Sequence, residues 1–368
     1  MRGEISGART LMLKFLYTFL LVLGTVYGPA ARAESVLFLS PGTTQEAFWV
    51  SYAQFMQAAA RDLGVDLRIQ YAQRMPELTV AQARLALQGP DRPDYLMFVN
   101  EQYVAPQILR LAEGSGVKLF MVNASLTANQ QSLLGERPDQ LGSLVPNDEE
   151  GGYLMLKELI RQHPAATPGK PIELLAFSGL KITPSAQLRE QGMMRALAEH
   201  PEVRLRQLVY SGWTRDRAYE QAKLLFRRYP QISLVWSAND EMAFGAMQAY
   251  SETGGVPGKD ALFSAVNTSP AALQAKVDGR LSVLLGGHFT LGGWALVELH
   301  DLDRGVDLDQ YGGRDRQIPL LQLVNNATAK RILAMGDSPE YSVNFRQMSA
   351  KGRPTSYRYP FSLQTLMR

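Results

Sequence analysis

Short apolar runs alternate with helical patterns along most of the chain from residue 35 onward. The first pair is the run SVLFLS (35–40) with a helical pattern that ends near residue 63. Strand followed by helix, with connections of only a few residues, is typical of βαβ units and of a parallel sheet. The run LGSLVP (141–146) interrupts the alternation, which begins again with a helix from about residue 149. The sequence therefore predicts an α/β chain with two successive series of βα units.

Two doubly wound series joined in mid-chain predict two parallel-sheet lobes with a cleft between them. The first series ends and the second begins near residues 146–148. The predicted strands span residues 35–40, 66–72, 94–100, 117–123, 141–146, 172–179, 204–212, 233–238 and 261–266. The predicted helices span about 45–63, 78–88, 103–113, 149–161, 184–199, 216–229 and 240–254. In open α/β sheets a ligand lies outside the carboxyl ends of the strands, so the residues after each strand are the candidates for a site.

The first 33 residues differ in character from the rest. Arg2, Arg9 and Lys14 precede the apolar run FLYTFLLVLGTVYG (15–28), and an A-x-A pattern follows at residues 31–33. A basic start, an apolar stretch too short to span a bilayer comfortably and small residues before a cut predict a secretory signal peptide. We expect cleavage after residue 33 and export to the periplasm. An uncleaved membrane anchor is the alternative.

Charge and cysteine content narrow the function classes. Residues 1–33 carry four of the 38 Lys and Arg residues and one of the 35 acidic residues, which leaves 34 of each in the remainder. A net charge near zero offers no argument for a nucleic-acid partner. The absence of cysteine excludes disulfides, thiol catalysis and thiolate metal sites, and it fits an exported chain. We expect no metal, no cofactor and no nucleic acid.

The residues at the predicted strand ends are rich in aromatic rings and amides and poor in nucleophiles. No HExxH, GxSxG, GxxxxGK[ST] or strand-linked GxGxxG pattern occurs. Glu101 and Asp240 both follow strands and would be candidates for a glycosidase pair. Acidic residues near strand ends are common, so the sequence favours a binding protein over an enzyme.

A polyhydroxylated ligand suits this set of residues. A sugar has CH faces that stack on aromatic rings and a rim of hydroxyls that donate and accept hydrogen bonds. The candidate stacking residues are Phe48, Trp49 and Trp213, and the candidate polar residues are Asn123, Arg189, Asn239 and Asn267. A guanidinium is suited to the rim because its planar fork donates to two neighbouring hydroxyls.

Each of these residues also has a purely structural interpretation. Trp49 and Phe48 open a predicted helix, where an aromatic pair can fasten the helix to the sheet. Asn239 is placed to cap the helix that begins at Asp240. Strand-end asparagines such as Asn123 often only shape a turn. The sequence leaves both interpretations open.

Two segments of the second half, SANDEMAFGAMQAY (237–250) and PSAQLREQGM (184–193), resemble motifs of the type I periplasmic binding proteins of the ribose/galactose kind. SANDEMAFGAMQAY (237–250) is close to that family's AxNDxMAxGA motif, whose asparagine bonds sugar hydroxyls and corresponds to Asn239. PSAQLREQGM (184–193) looks like its SAxxRxxG segment and places the ligand-binding arginine at Arg189. The resemblance covers about residues 35–330 and implies two lobes joined by a three-strand hinge that closes on the ligand.

Three further segments extend the resemblance, and the last departs from the family's pattern. EAFWV (46–50) is similar to the family's N-P-F-[FW]-x start, which implies stacking by Phe48 and Trp49. SGWTRDRA (211–218) corresponds to an aromatic-bearing turn and implies the same for Trp213. In VDGRLSVLLGG, which leads to a crossover, the position of the family's glutamine is a glycine.

The departures lie where the ligand is selected. The family's Asp-Arg after the fourth strand is Asn123-Ala124 here, and its aspartate after a later strand is Asn267. The crossover glutamine is Gly287, with His288 beside it as a further candidate ligand residue. Two carboxylates have thus become amides, which weakens ribose or galactose as the ligand. A neutral sugar, an altered sugar and an anionic sugar bound by Arg189 all remain open.

The resemblance also implies a division of the chain. We expect a signal peptide over 1–33 and an N-terminal lobe over 34–146, completed by about 288–320. We expect a C-terminal lobe over 147–287, completed by about 321–335. The segment 336–368 exceeds what such a fold needs, and it either docks a partner or wraps one lobe. The crossovers are predicted near 146–148, 286–288 and 318–324.

Three kinds of function share this fold. One is a periplasmic receptor that delivers a sugar or polyol to the inner-membrane permease of an ABC importer, as a monomer. Another is a receptor that reports its ligand to a membrane sensor kinase, cyclase or chemoreceptor. The FWV segment, the single asparagine after the fourth strand, and the tail with ATAKRI and FRQMS resemble furanosyl-borate quorum-signal receptors of this second kind. The second borate-facing arginine of those receptors, however, corresponds to Gly287 here. The third is a sugar-responsive repressor, which we do not expect, because that class requires an N-terminal helix-turn-helix and this N-terminus resembles a leader.

Overall fold

Parallel strands connected through helices build most of the chain. The computed structural model describes residues 33–135, 137, 139–164, 169–336 and 341–367. The predicted signal peptide lies outside the described residues, apart from its last residue. In the described ranges no helix is both long and apolar enough to cross a membrane.

The strands lie close to their predicted positions, and three further strands follow residue 280. They are β1 (Ser35–Ser40), β2 (Asp66–Tyr71), β3 (Tyr95–Phe98), β4 (Lys118–Val122), β5 (Gln140–Pro146), β6 (Ile172–Ser178), β7 (Val203–Tyr210), β8 (Leu234–Ser237), β9 (Leu262–Val266), β10 (Val283–Gly286), β11 (Asp315–Ile318) and β12 (Gln322–Leu323). β1, β6 and β8 are buried along their whole length, which explains why they read as continuous apolar runs.

The helices alternate with these strands. They are α1 (Ala47–Leu63), α2 (Pro76–Gln88), α3 (Ala105–Ala112), α4 (Ala128–Leu134), α5 (Asp148–Gln162), α6 (Pro184–Ala198), α7 (Arg215–Arg228), α8 (Asp240–Glu252), α9 (Pro270–Val277), α10 (Leu291–Asp303) and α11 (Asn326–Met335). Short 3-10 turns also occur at Glu101–Tyr103, His288–Thr290, Leu308–Tyr311, Arg346–Met348 and Leu363–Met367.

Two six-stranded sheets define two lobes. In the first lobe the strand order is β11-β5-β4-β3-β1-β2, with every pairing parallel. In the second lobe the order is β12-β10-β9-β8-β6-β7, and only the short β12 runs antiparallel to its neighbour. The predicted fold class, two doubly wound parallel-sheet lobes, is confirmed.

The expected interruption of the alternation at β5 is wrong. Helix α4 lies between β4 and β5, so the βα rhythm continues to the end of the first series. Thr127 and Gln130 form a reciprocal capping box at the start of α4, and this short motif is the signal that was overlooked. The helix has only seven residues and none is buried, so it lacks the apolar stripe by which helices are recognised.

Three connections join the lobes. The chain leaves the first lobe between β5 and α5, returns between β10 and α10, and crosses again between β11 and β12. Asn147 ties the first of these to the third, because its Oδ1 accepts from the Leu321 backbone N–H at 2.9 Å. The three crossings form a hinge of the kind that permits two lobes to close on a ligand.

The segment after residue 340 packs against the rest of the protein, and its first part lies on the first lobe. Its buried side chains are Phe345, Met348, Ala350, Tyr359, Phe361, Leu363 and Leu366. Phe361 stacks on Trp294 of α10, with ring centroids 5.2 Å apart and planes 12° apart. Asp301 of the same helix is fully buried and accepts from the Ala350 N–H at 2.6 Å and the Tyr359 hydroxyl at 2.7 Å. The end of the tail also reaches the second lobe, because Gln364 donates to Gln322 of β12 and Arg331 of α11 donates to the Met367 carbonyl. The tail thus packs on the protein itself and touches both lobes, and docking of a partner stays a prediction.

Candidate functional site

The carboxyl ends of both sheets border a cavity of about 540 Å³ between the lobes. The first lobe supplies residues that follow β1, β2, β3 and β4, and the second lobe supplies residues that follow β6, β7, β8 and β9. All eight predicted ligand residues line it: Phe48, Trp49, Asn123, Arg189, Trp213, Asn239, Asn267 and His288. The structure therefore brings the whole predicted set together, from positions as far apart in sequence as Phe48 and His288.

Trp49 is part of the core and of the cavity wall at once. It lies in the first turn of α1, is only 4% exposed, and packs against Phe38 and Tyr52 at centroid distances of 6.4 and 5.3 Å. Phe48 is half-buried and stacks on the ring of His288 at 4.5 Å and 24°. The packing interpretation of Trp49 is therefore confirmed, and stacking of its ring on a ligand stays a prediction.

Glycines hold two of the aromatic side chains in position. A Cβ atom on Gly42 would lie 1.9 Å from Trp49 Cδ1, and one on Gly179 would lie 2.1 Å from Trp213 Cε2. Neither distance is physically possible, so each indole packs directly over a glycine backbone. One face of each ring is thereby fixed.

Alanine at either glycine is expected to displace the indole above it. Overpacking of this kind costs about 1–3 kcal/mol of stability, and a shifted ring narrows the cavity. We expect Gly42→Ala and Gly179→Ala to lower ligand affinity and to change tryptophan fluorescence, while Thr44→Ala, at an exposed position in the Gly42 loop, changes neither. Titration with a bound sugar and thermal melts would measure both effects. Unchanged affinity in both glycine variants would contradict the close packing.

Arg189 is the central polar residue of the second lobe, and it is already paired. It is 5% exposed, and its Nε donates to Asp148 Oδ1 at 2.7 Å. Its Nη1 donates to the Ala238 carbonyl at 2.7 Å, and the guanidinium lies 5.8 Å from the centroid of the Trp213 ring. Burial raises the pKa of Asp148, and the charge of Arg189 opposes that rise. The pair positions the arginine without leaving a free positive charge.

A second charged cluster in the cavity was not predicted. Arg74 binds Glu46 through Nε at 3.0 Å and Glu101 through Nη1 at 3.0 Å. Desolvation raises the pKa of Glu101, and Arg74 counteracts it. Arg74 has a positive φ of 60°, as does its neighbour Gln73 at 52°, so the turn after β2 is strained in a way that functional sites often are.

Arg74 and Asp148 escaped prediction for one shared reason. They follow β2 and β5, and the ends of those two strands were left out of the set of candidate positions. Applied to every strand, the same rule finds both residues. The pairing of Arg74 with Glu46 and of Asp148 with Arg189 could not be found in this way, because these side chains meet only through the tertiary fold.

The asparagines of the second lobe brace the site. Asn239 caps α8 by accepting from the Met242 N–H at 2.9 Å, and its Nδ2 donates to the Trp213 carbonyl at 3.0 Å. Asn267 donates through Nδ2 to Asp240 Oδ1 at 2.7 Å. These bonds hold the Trp213 turn and the β9 end in fixed positions relative to α8. A role in ligand contact stays a prediction for both asparagines.

Four buried polar atoms in the cavity wall have no hydrogen-bond partner within the described residues. They are Trp49 Nε1, Trp213 Nε1, Asn123 Oδ1 and His288 Nδ1. Buried polar groups in folded proteins are nearly always hydrogen-bonded, so these four atoms, on side chains that line the cavity, lack a partner that the chain itself supplies. Three of them can serve as N–H donors and the fourth is an amide acceptor. No cluster of three or more metal-ligating acidic or histidine side chains occurs in the part of the chain that the structure describes.

Two doubly wound lobes, three crossings and a polar and aromatic cavity between the lobes are the architecture of a hinged binding protein. The chain belongs to the periplasmic binding protein family, whose domain model matches residues 36–301. This confirms the predicted resemblance to the type I binding proteins. The likeness to furanosyl-borate receptors stays a prediction.

Known proteins are similar over most of the chain. A solved periplasmic sugar-binding protein from Pseudomonas fluorescens is 61% identical, covers 91% of this chain and 100% of its own, and superposes with a TM-score of 0.86. The galactofuranose-binding protein YtfQ of Escherichia coli (strain K12) is 23% identical over 61% of this chain and 68% of its own length. The ribose import binding protein RbsB of Salmonella typhimurium (strain LT2) is 23% identical over 69% and 80%.

Proposed function

We propose that this protein is a periplasmic receptor that captures a neutral sugar or polyol in the interlobe cavity and delivers it to an ABC importer. The observation that carries the proposal is the cavity itself, in which indole and phenyl rings from both lobes face a rim of polar groups. The sugar-binding protein from Pseudomonas fluorescens, at 61% identity over its whole chain, supports a sugar ligand. The eight predicted residues are the proposed ligand contacts.

The charges in the wall favour a neutral ligand over the anionic sugar that the sequence left open. The lining contains three arginines, Arg74, Arg189 and Arg215, and each is paired with a carboxylate. The lining also contains six acidic side chains: Glu46, Glu101, Asp148, Asp216, Asp240 and Glu241. A carboxylate or phosphate on the ligand would have to displace one of these ion pairs and enter among excess acidic groups, which is unfavourable.

Closure of two lobes on the ligand is the proposed mechanism. We assign residues 34–146 and about 288–320 to the N-terminal lobe, and residues 147–287 and about 321–335 to the C-terminal lobe. Residues 336–368 are a C-terminal extension. Tyr103 donates to Gln187 Oε1 at 2.6 Å, which links the two lobes at the cavity. Bending at the three crossings would break this bond and open the cavity.

A thermal-shift screen of pentoses, hexoses, polyols and sugar acids tests the proposal. We expect a neutral member to raise the melting temperature, because ligand at 100 times its dissociation constant stabilises a protein by roughly 2.7 kcal/mol. The same compound should reduce the radius of gyration measured by X-ray scattering. Stabilisation by sugar acids alone would contradict the charge argument. A bound sugar that leaves the radius unchanged would contradict closure.

The partners follow from the same proposal. Relatives named as import binding proteins support an inner-membrane ABC permease as the recipient, with a signal peptide directing export and a monomeric receptor in the periplasm. The chemistry of the cavity supports binding without catalysis. Adjacent genes for an ATPase and a permease would support import, whereas an adjacent histidine kinase or cyclase gene would favour the sensor alternative.

A further inference from the structure

His288 is held at the hinge side of the cavity with its ring plane fixed. It begins the 3-10 turn that follows β10, where the chain crosses between the lobes. Its side chain is buried, with 3% exposed, and the ring stacks on Phe48 at 4.5 Å. Stacking fixes the plane in which the two ring nitrogens must find their partners.

The two nitrogens of this ring have different surroundings. Nε2 lies 3.5 Å from Arg189 Nη2, and a guanidinium has donors only. Nε2 must therefore face Arg189 with its lone pair, so the ring proton is on Nδ1. No acceptor for that Nδ1 proton lies within hydrogen-bond distance among the described residues.

The ring is also neutral. Burial lowers the pKa of His288 well below its ordinary value, and the positive charge of Arg189 lowers it further. Protonating Nε2 would place two donors and two positive charges against each other. Asp148 does not relieve this, since it is bonded to Arg189 on the Nε side of the guanidinium.

We propose that His288 is a specificity-determining residue that donates from Nδ1 to an uncharged oxygen of the ligand, an inference that rests on the proposed function. The other unpartnered side-chain atoms of the wall agree with this assignment. Trp49 Nε1 and Trp213 Nε1 are donors as well, and Asn123 Oδ1 is the one acceptor among the four. A ligand that satisfies all four presents three acceptor oxygens and one hydroxyl donor, as a sugar with a ring oxygen does.

Nuclear magnetic resonance of the ¹⁵N-labelled protein tests the tautomer directly and without a ligand. Long-range ¹H–¹⁵N spectra should show His288 with a protonated Nδ1 and an unprotonated Nε2. The ring should also keep one charge state between about pH 5 and 8, where an unperturbed histidine titrates. The His288→Gln variant assigns the signal by removing it. A proton on Nε2, or titration near the ordinary histidine value, would overturn the inference.

Variants that replace one nitrogen at a time test the donor. An asparagine amide superposes on Nδ1 of histidine, whereas a glutamine amide reaches the Nε2 position. We expect His288→Asn to keep most of the affinity, and His288→Gln and His288→Phe to lose about 10-fold, the usual worth of one neutral hydrogen bond. Phenylalanine keeps the stack on Phe48, so a loss in that variant reports the missing N–H. His163→Asn, at a position that directly follows α5 and does not line the cavity, serves as the control.

The probes are D-ribose, D-galactose and any neutral sugar or polyol that raises the melting temperature in the screen, with binding measured by calorimetry. If wild type binds one of them and His288→Phe binds it equally well, the donor role is wrong even though the receptor function stands. If wild type binds neither sugar and the screen finds no other ligand, the proposed function fails. The spectra still decide the tautomer in that case, so the two failures are distinguishable.

Discussion

Removal of residues 341–368 is expected to leave a chain that does not fold stably. Seven side chains of the segment are buried against the rest of the protein, among them Phe345 and Phe361. Each large apolar side chain contributes about 1.5–3 kcal/mol when fully buried, and the whole of a domain's stability is only about 5–15 kcal/mol. Truncation would also leave Asp301, which is fully buried, without its bonds to the Ala350 N–H and the Tyr359 hydroxyl.

Circular dichroism and thermal melts of the truncated and full-length chains measure this effect. Phe361→Ala is the milder companion, because loss of its stack on Trp294 leaves a cavity that should cost about 3–5 kcal/mol. Lys351→Ala, at an exposed position of the same segment, should melt like wild type. If the truncated chain melts like the full-length protein, the segment is an appendage and its packing contributes nothing.

The role of the C-terminal segment could not be predicted from the sequence. A mixture of arginine, lysine and tyrosine residues does not reveal whether a segment binds a partner or its own protein. The answer depends on α10, whose residues from Leu291 to Asp301 are all buried and carry acidic groups that need partners. These residues become buried and need partners only in the folded protein, so the role of the tail can be recognised from the structure and not from the sequence.

Most of the fold was predictable because its strands and helices follow from local patterns of apolar residues and from residues typical of helix starts. Continuous apolar runs predicted the buried central strands, and helix starts such as Pro184 and Asp240 matched the structure to the residue. The strands β11 and β12 were not predicted, since they are short, at most half-buried along most of their length, and lack a clear period. Their place in the sheets depends on long-range pairing.

The site was predictable to a similar depth and for a different reason. The rule that ligands bind beyond the carboxyl ends of parallel strands brought eight residues to one cavity. The rule predicted which residues lie near the cavity, but it did not predict their hydrogen-bond partners. Asn239 and Asn267 proved to be tied to Trp213 and Asp240 by hydrogen bonds that no local pattern encodes.

Arg189→Ala is expected to abolish most ligand binding and to destabilise the fold, since the arginine is not a free rim group. Its partner Asp148 is 1% exposed, so the change strands a buried carboxylate. Breaking a buried pair from one side costs about 3–5 kcal/mol. Adding Asp148→Asn to the variant should restore much of the stability but none of the binding. Urea denaturation and calorimetry measure the two quantities.

The pH dependence of the Arg189→Ala variant identifies the stranded group. Burial already raises the pKa of Asp148 and the arginine opposes that rise, so removing the arginine raises the pKa further. A carboxyl whose pKa is higher in the folded than in the unfolded state binds protons more tightly when folded, and stability then rises as the pH falls. The stability gap between the variant and wild type should therefore narrow from about pH 7.5 to about pH 5, and the Asp148→Asn double variant should lose this trend. A gap that stays constant or widens on acidification would show that the cost of the substitution arises from lost packing and not from an unpaired carboxylate.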